Sequence, residues 1–127
     1  MDKVIIRKQD EDYKVVEVEK LDLKFLQKSV GGYIELFRWS EDLCNRNIDL
    51  WINEEGKLIE GLKTTFVVRS KDTGEVVDII KGDVLFTSTD GEGETIGLND
   101  VQIQYIKSKL STAAVLSDGS VAHVIDI

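Results

Sequence analysis

Apolar side chains recur in this chain mostly at alternate positions, in short runs broken by glycine or by clusters of charge. That period of two is the signature of strands with one covered face. Val4–Arg7 and Tyr13–Glu19 open the series. In the second, Val16 and Val18 face one way and Val15, Glu17 and Glu19 the other. The polar run Gln9-Asp10-Glu11-Asp12 between them predicts an exposed turn. Tyr33–Ser40 and Ile48–Asn53 read as a neighbouring pair of strands. Ile34 and Leu36 point to one side of the first, and Tyr33, Glu35, Phe37 and Trp39 to the other. In the second, Ile48, Leu50 and Ile52 share a face and Trp51 takes the opposite one. A polar loop, Glu41–Asn47, joins them and holds Cys44. Glu54-Glu55-Gly56-Lys57 then predicts a bulged turn with glycine at positive φ.

Thr64–Ser70 and Glu75–Ile80 predict a hairpin over Lys71-Asp72-Thr73-Gly74, followed by a strand over Val84–Thr89. Thr112–Leu116 and Val121–Ile125 flank Ser117-Asp118-Gly119-Ser120, and Asp-Gly between apolar strands is a strong hairpin signal. Two segments switch to helical spacing. Leu21–Val30 carries Leu23, Leu26 and Val30 on one face, and Gly31 supplies the left-handed residue that ends a helix. Asp100–Leu110 carries Ile103, Ile106 and Leu110. Asn99 and Gln102 have capping-box spacing, Leu98 and Ile103 the spacing of a hydrophobic staple, and Lys107 and Lys109 suit the negative end of the dipole. The pattern predicts an α+β domain over 1–127. It is a mostly antiparallel sheet with two short helices packed on one face and a C-terminal hairpin.

Composition narrows the classes of function. The 127 residues suffice for one core, and 42% hydrophobic content predicts folding rather than disorder. No apolar run is long enough to cross a bilayer, and the first residues, Met-Asp-Lys-Val-Ile-Ile-Arg-Lys, lack the apolar core of a signal peptide. A single cysteine excludes an internal disulfide, so a reducing cytoplasm is the expected compartment. The net charge of −8 argues against direct nucleic-acid binding, which needs cations to displace counterions. It suits instead a protein that occupies the basic groove of a nucleic-acid-binding partner.

Several pieces together resemble one family of small domains of unknown function found on phages, plasmids and other mobile elements. They are Leu26-Gln27, then Val30-Gly31-Gly32-Tyr33-Ile34-Glu35, then Asn53-Glu54-Glu55-Gly56-Lys57-Leu58. Farther on come Asp78-Ile79-Ile80-Lys81-Gly82-Asp83-Val84 and the helix start Leu98-Asn99-Asp100. The resemblance covers Val4 to Leu110. The chain departs from the family at Gly61-Leu62-Lys63, where a Leu-Pro and an Asn are usual, and the hairpin Ser111–Ile127 reads as an addition. The resemblance implies a mobile-element origin, often near anti-restriction genes. It carries over no catalytic residue.

The residues themselves point the same way. The only histidine, His123, alternates with Val121 and Ile125 in a strand and has no nucleophile motif beside it, so it reads as a packed residue. Cys44 lacks zinc-ligand spacing and reads as a small, partly buried side chain. Asp90, Glu92 and Glu94 alternate in a glycine-rich loop, but the loop is too short for a calcium site and lacks the Gly-Lys-Ser/Thr of a phosphate cradle. Neither metal nor cofactor is expected. The two aromatic strands offer Tyr33, Phe37, Trp39 and Trp51 as one face, either buried or available as anchors for a partner.

The expectation is therefore a non-enzymatic mobile-element accessory protein. It would inhibit a host restriction or CRISPR nuclease by direct binding. Trp39, Trp51, Tyr33 and Phe37 would be the aromatic anchors, and Glu54, Glu55, Asp90, Glu92 and Glu94 the acidic contacts. An alternative is a module that sequesters a small nucleotide signal with Arg38, Arg46 or Arg69 near the aromatics. A third reading is a structural accessory domain. A homodimer through the edge of the terminal hairpin is compatible with any of these.

Overall fold

The computed structural model describes residues 1–110 and 113–127. Its elements run β1 (Asp2–Arg7), β2 (Lys14–Val18), α1 (Leu23–Val30), β3 (Ile34–Phe37), α2 (Glu41–Cys44), β4 (Ile48–Asn53), β5 (Thr64–Arg69) and β6 (Val76–Lys81). They continue with β7 (Val84–Thr89), β8 (Thr95–Ile96), α3 (Asp100–Lys109), β9 (Ala113–Val115) and β10 (Val121–Asp126). The class is α+β. Thr112, the first residue of one expected strand, lies outside the described residues.

The strands form two sheets rather than the single one expected. One has the order β2-β1-β7-β4-β3, with β8 also on β7; the other is β6-β5-β10-β9. Among the described residues every pairing is antiparallel except β5 with β10, which is parallel and sets His123 beside Phe66 and Ile125 beside Val68. The C-terminal hairpin exists, closed by Leu116 N–H to the Ser120 carbonyl at 2.8 Å. It is no appendage, because β10 is an inner strand with Ala122, His123 and Ile125 buried.

Consecutive buried residues show why the first sheet needs cover on both faces. Val4 and Ile5, like Val84, Leu85 and Phe86, are all buried although neighbours in a strand point oppositely. Ile5, Val84 and Phe86 face the main core with Leu50, Phe66 and Val68. There Phe66 and Phe86 meet edge to face at 6.0 Å between ring centroids, a geometry worth about 0.5–1.5 kcal/mol beyond its burial. Val4 and Leu85 face the other way, against Leu26 of α1. The helices therefore do not share a face, as the sequence reading supposed. The first lies outside the six-stranded sheet, whereas Ile103, Ile106 and Leu110 of the last join the main core.

Helix α1 starts at Asp22, whose carboxylate accepts from Phe25 N–H at 2.9 Å, and ends on Gly31 at φ 79°. Helix α3 has the expected reciprocal cap. Asn99 Oδ1 accepts from Gln102 N–H at 2.8 Å and Gln102 Oε1 from Asn99 N–H at 2.9 Å. Leu98 is buried with Ile103 as the staple requires. The amide of Gln102 also donates to the Arg46 carbonyl and to Ser88 Oγ, which ties α3 to the strand layer.

A third helix, α2, occupies the segment read as loop. Ser40 Oγ accepts from Leu43 N–H at 3.3 Å, and Glu41 and Asp42 sit at its positive end. Leu43 is buried in the main core. Strands β4 and β5 belong to different sheets, so the turn after Asn53 is no hairpin. Gly56 is absent from the positive-φ residues, and it is tight for another reason: a Cβ there would stand 2.8 Å from the Lys81 carbonyl oxygen.

Candidate functional site

The register of β3 and β4 decides where the aromatics go. Phe37 pairs with Leu50 and Leu36 with Trp51, and directly opposed residues share a face. Phe37 therefore joins Leu50 and Ile52 on the core side, at 7% exposure. Trp51 turns outward with Leu36 and Ile34 towards α1, its Nε1 donating to Thr87 Oγ1 at 2.9 Å. The single face of Tyr33, Phe37, Trp39 and Trp51 does not exist. The expected opposition of Phe37 to Leu50 assumed a register one residue away, and such a slip inverts every side chain. The strand is also shorter than expected, so Tyr33 and Trp39 lie just beyond its two ends, 65% and 71% exposed.

Trp39 stands over a seam between the sheets. Strands β3 and β6 are each the last of their sheet, and both line one groove of about 190 Å³. Its walls include Glu35, Phe37 and Trp39 on one side, Asp78 to Lys81 on the other, and Glu54, Gly56 and Leu58 at one end. Leu58 is 83% exposed; Val77 is exposed beside Trp39 in the adjoining depression. A Lys57–Asp78 ion pair crosses this end. Glu35, Glu54 and neighbouring Glu55 take part in none of the ion pairs among the described residues. The Tyr33 carbonyl accepts from Glu54 N–H at 2.9 Å, which brings that ring's backbone against the acidic turn. Of the expected contacts, Trp39 and Glu54 thus line one groove, and Tyr33 and Glu55 do not.

The second acidic group lies elsewhere. Asp90, Glu92 and Glu94 are exposed on the β7–β8 loop, and Asp90 Oδ1 accepts from the amides of both Glu92 and Glu94. That carboxylate braces its own loop. Gly93 and Thr95 line a different groove with Trp51, Arg38 and Asp49. Burial pushes the Asp49 carboxyl up, against the pull of Arg38. Among the described residues no three His, Cys, Asp or Glu side chains are grouped to hold a metal ion.

The arginines proposed for a nucleotide do not converge. Arg46 stacks 3.9 Å from the Tyr105 ring centroid, and Arg69 is forked onto Asp126 at 2.9 and 3.3 Å. Of the three, Arg38 shares a groove with two of the candidate aromatics, Phe37 and Trp51. Cys44 is exposed rather than partly buried.

One feature escaped the sequence reading. Arg7 is 2% exposed on the core side of β1 and donates to the carbonyls of Lys8 and Val121, bridging the two sheets. Its Nε and the Nδ1 of His123 are buried without a hydrogen-bond partner. Burial lowers the pKa of Arg7 against the pull of Asp12, Asp10 and Asp83. Burial, then Arg7 itself, lowers that of His123, so its ring is neutral near neutral pH. An arginine at the end of an alternating strand gives no sign of burial in sequence; only the β1–β7 register, setting Arg7 beside Val84, does.

No helix among the described residues is long and apolar enough to cross a membrane. Comparison with curated proteins and with solved structures yields no match. A family model described as "Domain of unknown function (DUF3846)" matches residues 1–111. That span carries both faces of the six-stranded sheet, the seam and all three helices, and the chain belongs to this family of domains of unknown function.

Proposed function

We propose that the protein acts without chemistry of its own, by docking on another macromolecule through the seam between β3 and β6. The observation that carries this reading is Trp39, 71% exposed beside Leu58 and Val77 at a groove flanked by two free strand edges. Exposed tryptophan gathered with aliphatic side chains is the usual composition of an interface anchor. Terminal strands offer unpaired backbone groups to an added extended segment.

The charge specifies the occupant. Glu35 and Glu54 line the seam and Glu55 follows in the chain, none of them in an ion pair among the described residues, against Lys57 and Lys81, in a chain of net charge −8. An extended basic segment of a nucleic-acid-binding protein fits that field. The mobile-element setting implied by the family resemblance makes a host restriction or CRISPR nuclease the first such protein to test. The alternating Asp90, Glu92 and Glu94 add to long-range attraction from a separate place.

The test is inhibition of DNA cleavage by purified restriction and CRISPR nucleases, titrated with this protein from about 0.05 to about 0.5 M salt. Stoichiometric inhibition that weakens with salt supports the reading. Failure to inhibit or bind any of them, or turnover of a substrate by the protein alone, overturns it.

A further inference from the structure

Helix α1 covers only part of the outer face of the six-stranded sheet, where Leu26 packs with Val4, Leu85 and Trp51. Beyond the helix the same face opens into a groove of about 410 Å³. Leu36, Arg38, Asp49, Trp51, Thr89 and Thr95 are among the residues lining it. Asp49 lies two residues from Trp51 in β4 and so points the same way. The register that pairs Leu36 with Trp51 carries Arg38, two residues after Leu36, towards Asp49.

Both charged groups are free and within reach. Arg38 pulls on the Asp49 carboxyl, yet the two form no ion pair, and neither side chain makes a hydrogen bond among the described residues. Arg38 is exposed. Asp49 is half-buried, but neither of its oxygens is among the buried unpartnered atoms, so both are open to water at the groove. A carboxylate that has lost part of its hydration and gained no donor is relieved by ligand N–H groups. The groove therefore offers a two-oxygen acceptor beside a forked donor, over an apolar floor from Leu36 and Trp51.

We infer that this groove binds a guanine base, as free base or nucleoside, with Asp49 accepting from its N1–H and N2–H and Arg38 donating to its O6 and N7. Guanine carries two adjacent donors on one edge and two adjacent acceptors on the next, and an arginine fork matches the second. Adenine and cytosine set an acceptor beside their amino group, which meets one Asp49 oxygen with like polarity. A guanidinium or ammonium ion suits Asp49 but is opposed by Arg38. Phosphate is disfavoured, because Asp90, Glu92 and Glu94 stand on the loop whose Gly93 and Thr95 form one wall. The volume lies within the range of small-molecule pockets. The inference is independent of docking at the seam, which neither Arg38 nor Asp49 lines.

Calorimetry and NMR of the Trp51 indole N–H, on the full chain, test it with guanosine, adenosine, cytidine, guanosine monophosphate and methylguanidinium as probes. Guanosine is expected to bind saturably and move that resonance. Adenosine, cytidine and methylguanidinium are expected to be weaker by about tenfold or more, and the monophosphate no tighter than guanosine. Asp49→Asn removes no hydrogen bond or ion pair, so it keeps the fold, and it is expected to erase the preference for guanosine over adenosine. Arg38→Ala, at an exposed position, is expected to weaken guanosine by about tenfold. No guanosine binding up to about 1 mM overturns the inference. So does adenosine or methylguanidinium binding as tightly as guanosine, or the monophosphate binding more tightly. An Asp49→Asn variant that keeps full discrimination, or an Arg38→Ala variant that binds guanosine unchanged, overturns it as well.

Discussion

At the scale of single residues, the buried pair Arg7 and His123 makes the clearest demand. Folding lowers the pKa of His123 below its ordinary 6.5, through burial first and Arg7 second. Below pH 6.5 the unfolded chain then binds a proton that the folded chain refuses. The contribution is therefore complete above that pH and is lost as pH falls towards the folded value. Urea unfolding between about pH 7.5 and about pH 5 is expected to show stability falling as pH falls, by at most about 1.4 kcal/mol per pH unit from this one group. His123→Gln, which cannot titrate, flattens that slope. An unchanged slope in the variant contradicts the assignment. Of this pair, the strand position of His123 was legible from its alternation with Val121 and Ile125. The burial of Arg7 was not, because it comes from Val84 beside it and Val121 across from it, both remote in sequence.

At the scale of elements, legibility followed locality. The last helix was readable down to its cap, since Asn99, Gln102, Leu98 and Ile103 all act within one turn. Asn99→Ala is expected to cost about 1 kcal/mol. Gln102→Ala is expected to cost more, about 2 kcal/mol, because its amide also holds the Arg46 carbonyl and Ser88 Oγ. Chemical denaturation of the two variants checks the order; equal losses contradict the second role. The four-residue α2 was missed because so short a segment shows no helical period, although Ser40 before Glu41 and Asp42 is a cap signal. The faces of β3 and β4 were inverted relative to one another. Alternation tells which residues of one strand share a side, but only the paired register, Phe37 on Leu50, tells which sides match.

At the scale of the molecule, the two-sheet arrangement was out of reach of the pattern. The parallel pairing of β5 with β10 joins segments at Phe66 and His123 whose separation no local signal spans. It makes the C-terminal strand part of the core, although the family model ends at residue 111. A chain ended at Leu110 is expected to lose cooperative thermal unfolding, because β5 loses its inner neighbour and Phe66 and Val68 lose their cover. A fragment melting cooperatively near the intact chain contradicts that. The proposed activity rests on the opposite side of the molecule's design, the open seam where β3 and β6 end their sheets. It is tested most directly by comparing two variants in calorimetric binding to an inhibited nuclease. One removes the anchors, Trp39→Ala with Leu58→Ser; the other removes loop charge, Glu92→Gln with Glu94→Gln. These side chains are exposed, so each variant is expected to keep its stability within about 0.5 kcal/mol. The account predicts that the seam variant binds at least about a hundredfold more weakly, while the loop variant stays within about threefold in ~0.15 M salt. A seam variant that binds like the unaltered protein contradicts it.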